Sequence, residues 1–191
     1  MRWIRRTLAV IVAIPVLGVA LLFLAGFREG AGRNVAHQSI ARPRADVLRH
    51  IVEPDLLRRW AGADELEVLT PLPLRKGSRL RSVTVSRGQR IEVLSEVTAL
   101  DRDQVAVAAR TAEGSPAGFA QLASYRLKDQ DGGTVLSVTI DTQYQGLALG
   151  LLEPLVTRAA QRELERRLAV LKAQVEAQPP AAVPADPHRG D

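Results

Sequence analysis

The sequence has 191 residues, no cysteine and a formal charge of +5, from 26 basic and 21 acidic side chains. This length suits one domain of ordinary size with roughly 30 to 40 residues of appendage. The absence of cysteine excludes a disulfide scaffold, a thiol nucleophile and a thiolate metal site. The three histidines are widely spaced, which argues against a zinc cluster, so no metal or other cofactor is predicted.

Residues 8–27 form an uncharged run of twenty residues, LAVIVAIPVLGVALLFLAGF. As a helix they would span ~30 Å, which is the thickness of the hydrocarbon core of a bilayer. Three arginines precede the run, whereas Arg28 after it is offset by Glu29. The positive-inside rule therefore predicts a cytoplasmic amino terminus at 1–7, a transmembrane helix at 8–27, and a domain on the periplasmic or extracellular side of the cell membrane.

Two other interpretations of this run remain open. A cleaved signal peptide also begins with arginine and an apolar stretch, but that stretch is normally ~7–15 residues long and ends at a small-residue cleavage site. Here the run is longer, and Glu29 interrupts the small residues that follow it. The third interpretation, a buried helix of a soluble core, is disfavoured by such uniform apolarity at a terminus. A retained anchor and a cleaved signal would both export the rest of the chain.

The positive charge is concentrated around the apolar run. Residues 1–33 contain five arginines and one glutamate, which gives +4, and residues 34–191 carry only +1. A nucleic-acid-binding domain would concentrate basic residues on its folded part, so the charge argues against a nucleic-acid partner. One local basic cluster remains, and it is either a solvated strand edge or, in a tethered domain, a contact with anionic lipid headgroups. It consists of Arg75, Lys76, Arg79 and Arg81.

The exported part opens with a short strand and two short helices. A linker is expected at 28–33 and a weakly alternating first strand at 34–40. The spacing of apolar residues predicts a helix over 44–52. Asp55 is placed to cap a second short helix that runs through Trp60.

The pattern then switches to a period of two, which predicts antiparallel strands joined by tight turns. These strands are 66–69, 79–86, 89–100, 104–111, 119–128 and 134–144. One long helix is predicted at 148–177, and the Pro/Ala-rich tail at 178–191 has the composition of a disordered segment. The fold class is thus α+β: a curved antiparallel sheet of six or seven strands with a long helix across it, in a domain over 34–177.

This order of elements is that of the helix-grip fold, and the residues also resemble a family. The segment SIARPRADVLRHIVEPDLLRRW, with Val47 and Trp60 at its apolar and tryptophan positions, is similar to the start of START-like proteins of the polyketide cyclase/dehydrase and lipid transport superfamily (SRPBCC). Further matches are the pairs Lys76-Gly77, Glu96-Val97, Gly133-Thr134 and Leu171-Lys172. The resemblance implies a cavity between the long helix and the concave sheet face, suited to a hydrophobic small molecule or lipid. Relatives ordinarily lack a membrane anchor, so the chain departs from the family pattern at its amino terminus.

Alternation along the strands predicts which side chains face this cavity, because charged residues mark the outer face. The predicted lining residues are Trp60, Ile91, Val93, Ser95, Val97, Phe119, Gln121, Tyr125, Leu136, Val138, Ile140, Thr142 and Tyr144. The competing interpretation of Trp60 is an ordinary core residue, and that of the two tyrosines is a hydroxyl reaching the rim. Ser95 and Gln121 are either ligand contacts or satisfied core groups.

Three functions remain open at this stage. The leading hypothesis is a single-pass membrane-anchored domain that binds a hydrophobic small molecule or lipid outside the cytoplasm. A cyclase/dehydrase-like enzyme would use Tyr125, Tyr144 or His50 as acid–base groups, but the sequence contains no catalytic motif and we predict no catalytic residue. The third hypothesis is a non-catalytic interaction module of the cell envelope, with a filled interior and exposed apolar surface.

Overall fold

In the computed structural model the described residues are 30–86, 88–114, 118–145 and 147–178. They form one seven-stranded sheet, two short helices and one long helix. None of the helices within these ranges is long and apolar enough to cross a membrane. The predicted transmembrane helix at 8–27 and residues 179–191 of the predicted tail lie outside the described residues.

The sheet is an antiparallel meander to which the first strand is added at one edge. Its strands are β1 (Gly30–Ile40), β2 (Glu65–Val68), β3 (Arg79–Ser86), β4 (Gln89–Leu100), β5 (Gln104–Thr111), β6 (Phe119–Gln130) and β7 (Gly133–Tyr144). Their spatial order is β1-β7-β6-β5-β4-β3-β2, and all neighbours are antiparallel. The predicted sheet of six or seven antiparallel strands is therefore confirmed.

The first strand begins earlier than predicted. β1 starts at Gly30 rather than Asn34, and its first residues, expected to be linker, pair with the end of β7, Gly30 opposite Tyr144. The small side chains at this point carry no alternating pattern, so the sequence hides the strand. Packing explains the glycine at position 32, because a Cβ there would lie 2.6 Å from the Thr157 Oγ1 of the long helix.

We expect Gly32→Ala to destabilise the domain, because the added methyl group collides with Thr157 and approaches the Tyr144 ring at 3.1 Å. Overpacking of this kind costs about 1–3 kcal/mol. Urea unfolding followed by circular dichroism measures the effect. Gly77→Ala is not a suitable control because its φ is positive, so Ser39→Ala on the exposed face of β1 serves instead, with a change near zero. Equal unfolding midpoints for both variants would contradict this packing.

The three helices are α1 (Arg44–Val52), α2 (Pro54–Ala61) and α3 (Leu147–Ala177), close to the predicted bounds. One detail differs. Asp55 does not cap α2, because Glu53 holds the cap position and Pro54 occupies the first turn, where its missing N–H costs nothing. Gly62 then ends α2 in the left-handed conformation, with φ 71°.

The long helix α3 runs parallel to β1 over the length of that strand. Near one end, the buried Asn34 amide donates a hydrogen bond to the Thr157 carbonyl at 2.9 Å. Near the other, the Lys172 ammonium donates to the Ser39 carbonyl, also at 2.9 Å. The apolar stripe of α3 is buried against the core through Leu164, Leu168, Leu171 and Val175.

Candidate ligand-binding cavity

A cavity of about 150 Å3 lies on the inner face of the sheet, beneath the two short helices. Its helical wall is made by Ile51 and Val52 of α1 and Leu57 of α2. The other lining residues are Leu66, Leu74, Leu80, Ser82, Ser95, Val97, Leu100, Val105, Val107, Ala109, Gln121, Ala123 and Tyr125. The walls are thus aliphatic with four polar side chains, a composition typical of a site for a hydrophobic ligand.

The cavity is not where the sequence placed it. It was expected between the long helix and the sheet, but no described side chain of α3 lines it. The space beneath α3 is occupied instead by its own side chains, since Leu164, Leu168 and Leu171 pack into the core. The remaining room lies under α1 and α2, against strands β3 to β6.

The four polar side chains of the lining are Ser82, Ser95, Gln121 and Tyr125. Among the described residues, none of the four side chains has a hydrogen-bond partner. Ser95 and Gln121 lie in one cross-strand row, on either side of Ala109, whose small side chain leaves space between them. Polar groups that face an enclosed space are normally satisfied by water or by a ligand.

Tyr125 is the one aromatic residue among these four polar groups. Burial raises the pKa of its hydroxyl, so the group stays protonated at neutral pH and is able to donate a hydrogen bond. Its ring meets Trp60 edge to face, with the ring centroids 6.3 Å apart. Trp60 itself is 4 % exposed, and its Nε1–H donates to the His50 carbonyl at 2.9 Å. Trp60 therefore lies in the core behind the cavity wall, not among the lining residues.

The other predicted lining residues lie on the inner face of the sheet but outside the cavity. Leu136 and Val138 are fully buried in the core, with Ile140 packed against it. Five more lie towards the end of the sheet where β1 begins, outside the lining: Ile91, Val93, Phe119, Thr142 and Tyr144. Of the predicted set, the cavity brings together Ser95, Val97, Gln121 and Tyr125. It also uses β5, whose alternation of Val105, Val107 and Ala109 was a signal that the prediction did not use.

The residues considered for acid–base chemistry do not converge. Tyr125 and Tyr144 share a face but lie six residues apart along the paired strands, which is about 20 Å. His50 is buried, with Nδ1 bonded to the Asp46 carbonyl at 2.8 Å and Nε2 without a partner. It is not among the lining residues of the cavity. Within the described ranges, no three His, Asp or Glu side chains are grouped to hold a metal ion.

A second, wider concavity of about 820 Å3 lies on the outer face of the sheet. It shares Leu80, Ser95, Ala109 and Gln121 with the inner cavity, because these residues span the sheet between the two. This outer groove has a floor of small and apolar side chains, Ala108, Ala120 and Leu122, with Leu122 half exposed. Ion pairs border it on both sides. Arg33 and Asp141 are 3.5 Å apart at one side, and Arg79 and Glu96 are 3.7 Å apart at the other.

Two of the four residues of the predicted basic cluster, Arg79 and Arg81, are paired with carboxylates. Arg79 pairs with Glu96 at the border of the outer groove. Arg81 donates to Glu92 at 2.8 Å and to Glu67 at 3.0 Å, and the bond from Arg81 lowers the pKa of Glu92. Arg75 and Lys76 precede β3, at the end of the sheet opposite Gly30. Arg79 and Arg81 thus lie on a solvated strand edge with their own counter-charges.

The curved sheet with two short helices and a carboxy-terminal helix defines a helix-grip domain. The sequence profile of the family described as polyketide cyclase/dehydrase and lipid transport matches residues 33–176. The chain belongs to this family. No curated protein sequence matches it significantly.

Solved structures show the same fold at low sequence identity. A protein named Ara h 8.0201 is 15% identical with a TM-score of 0.62, over 78% of this chain and 100% of its own. A putative uncharacterized protein from Rhizobium leguminosarum is 18% identical with a TM-score of 0.64, over 78% and 96%. A protein from Thermus thermophilus is 24% identical with a TM-score of 0.59, over 76% and 97%.

The unpartnered amide of Gln121 leads to a prediction. Gln121→Leu should leave the stability of the ligand-free domain unchanged or slightly raised, because no protein hydrogen bond is lost. It should weaken a ligand that bonds the amide by about 2–10-fold, the value of one hydrogen bond of ~0.5–1.5 kcal/mol. Urea unfolding and calorimetric titration with p-cresol measure the two effects. A loss of stability of ~1 kcal/mol or more would show that Gln121 is a satisfied core group instead.

Proposed function

We propose that this protein is a single-pass membrane-anchored domain that binds a hydrophobic small molecule or lipid on the extracytoplasmic side. The observation that carries the proposal is the cavity under α1 and α2, with aliphatic walls and four polar side chains that lack a protein partner among the described residues. The description of the family, which includes lipid transport, agrees with it.

The volume of the cavity limits the size of the ligand that it accommodates without a change in conformation. About 150 Å3 accommodates a molecule of roughly the size of a benzene ring. A small aromatic or branched hydrocarbon with one carbonyl or hydroxyl would fill it and reach Gln121 or Tyr125. A longer lipid would place one end there and require α1 and α2 to move outwards. The proposal therefore favours a compact ligand or the end of a chain.

Binding is favoured over catalysis by the placement of the polar groups. Tyr125 keeps its proton because burial raises the pKa of its hydroxyl, so it is suited to donate a hydrogen bond and not to act as a base. Tyr144 is about 20 Å away along the strands. No second acid–base group among the described residues joins Tyr125 in the lining.

The membrane anchor and the orientation are supported by the sequence alone. The uncharged run at 8–27 has the length of a membrane span, and the arginines before it favour a cytoplasmic amino terminus. The domain would then face the periplasm or the exterior, tethered to the cell membrane.

The experiment is to purify the full chain in detergent, extract it with organic solvent and identify the released molecules by mass spectrometry. We expect one hydrophobic compound at up to one equivalent per chain, enriched over the detergent-matched blank. Native mass spectrometry of the same sample should show the corresponding mass increment. A chain that carries nothing, and that binds neither p-cresol nor any lipid class offered, would contradict the proposal.

The outer groove supports a second candidate, an interaction module of the cell envelope. Its volume of about 820 Å3 exceeds that of the inner cavity, and its floor includes the exposed Leu122. Leu122→Asp would weaken a partner seated on this groove, while a ligand in the inner cavity would be unaffected. Capture of a partner by the wild-type chain and not by Leu122→Asp would favour this second candidate.

A further inference from the structure

The position of the first strand determines which end of the domain meets the membrane, if the anchor of the proposed function is accepted. The predicted span ends at Phe27, and β1 begins at Gly30, so only two residues separate them. Three residue steps cover at most about 10 Å. The end of the sheet formed by Gly30 and its partner Tyr144 is therefore held within about 10 Å of the hydrocarbon core.

The long helix α3 starts at this same end and extends past it. Thr157 lies beside Gly32, since a Cβ on Gly32 would touch the Thr157 side chain. From that point α3 runs parallel to β1. Ten residues of α3 precede Thr157, which is about 15 Å of helix. Gly30 lies only about 7 Å beyond Gly32. Because Pro154 lies within this segment and a proline kinks a helix, the start of α3 projects at most roughly 8 Å past the strand that leads to the anchor.

The sequence of this projecting segment is suited to a bilayer. Residues 147–156 read LALGLLEPLV, with Glu153 as the one charged residue. Leu155 within it is 64% exposed, the highest value among the large hydrophobic residues of the described chain. At the neighbouring edge of the sheet, Arg33 is paired with Asp141 at 3.5 Å.

We infer that the end of the domain formed by the start of β1 and the first turns of α3 is seated on the lipid bilayer, with α3 inserted in the interfacial region. An apolar helix end gains free energy when it leaves water for the acyl boundary, and the tether supplies the proximity. Zwitterionic phosphatidylcholine is sufficient for this contact. The opposite end of the sheet, which carries Arg75 and Lys76, faces away from the membrane.

The absence of native cysteine permits a direct test with single nitroxide labels. Full-length Leu155→Cys, Leu151→Cys and, as the control, Leu72→Cys are labelled and reconstituted in phosphatidylcholine vesicles. Leu72 is 61% exposed, a value matched to Leu155, but it lies between β2 and β3 at the far end of the sheet. Power-saturation electron paramagnetic resonance then compares collisions with oxygen, which favours lipid, and with a water-soluble nickel chelate. Unchanged circular dichroism confirms that each labelled chain is folded.

We expect the ratio of oxygen to nickel collisions to rise several-fold from position 72 to 155 and further to 151. The inference would be overturned if the labels at 151 and 155 were as accessible to the nickel chelate as the label at 72. If these chains also resisted carbonate extraction from the vesicles, the anchor itself would still stand. Release of the chain by carbonate would overturn both. Labels at 151 and 155 shielded from both reagents would overturn the inference in favour of a second protein copy. These accessibilities do not depend on ligand binding, so a chain that binds no hydrophobic ligand would give the same values at positions 72, 151 and 155.

Discussion

Ala109→Leu is expected to weaken ligand binding about 100-fold while the domain stays folded. Ala109 is buried on the inner face of β5, between Ser95 and Gln121, and its small side chain leaves the space a ligand would occupy. The leucine adds three carbon atoms to a cavity of about 150 Å3. A steric penalty of ~3 kcal/mol lowers the affinity for a ligand about 100-fold. Calorimetric titration with p-cresol measures this change.

The neighbouring residue supplies a matched control. Ala108 precedes Ala109 on the same strand and faces the outer groove, so Ala108→Leu makes the same chemical change on the opposite side of the sheet. It should leave the affinity within twofold. In the ligand-free protein, Ala109→Leu should be neutral or stabilising by up to about 2 kcal/mol, because it fills a void with apolar atoms. Destabilisation of ~1–3 kcal/mol by Ala109→Leu would mean that the interior is already packed.

Trp60→Ala is expected to give the largest loss of stability, about 3–5 kcal/mol. The indole is 4% exposed, contacts the Tyr125 ring and donates to the His50 carbonyl at 2.9 Å, so it fastens α2 to α1 and to the sheet. This loss is a large part of the ~5–15 kcal/mol that stabilises a typical domain. Urea unfolding monitored by circular dichroism measures it, since the variant lacks the Trp60 fluorescence that would report on the core.

Trp60→Phe separates the two contributions of this residue. It retains most of the apolar contact but removes the N–H donor, so a smaller loss of about 1–2 kcal/mol is expected. A loss below ~1 kcal/mol for Trp60→Ala would show that the residue is not part of the core, and would restore its predicted place among the cavity-lining residues.

The regular elements were predictable because their patterns are local. The alternation of β3 to β7 and the helical spacing of α1 and α3 follow from which face each residue buries. The start of β1 was missed because Gly30 and Gly32 carry no side chain to alternate. The need for glycine at position 32 depends on the contact with Thr157, which is more than a hundred residues away.

The cavity was predicted in composition but not in position. Alternation identifies the face on which Ser95, Gln121 and Tyr125 lie, but Leu136 on the same face is fully buried in the core. Which part of the face stays empty depends on how the side chains of α3 fill the interior. That outcome is set by packing between elements distant in sequence, and no local pattern contains it.

Photolabelling with 3-trifluoromethyl-3-phenyldiazirine, a hydrophobic probe of compact size, is the measurement that tests the central claim most directly. The full chain in phosphatidylcholine vesicles is irradiated with the probe, and the labelled residues are mapped by mass spectrometry. The predicted result is labelling of residues on β4 to β6 that line only the inner cavity, such as Val97, Val107 and Tyr125, which is lost in Ala109→Leu and kept in Ala108→Leu. Labelling confined to the outer groove or to the bilayer-facing end, unaffected by Ala109→Leu, would contradict a ligand-binding cavity.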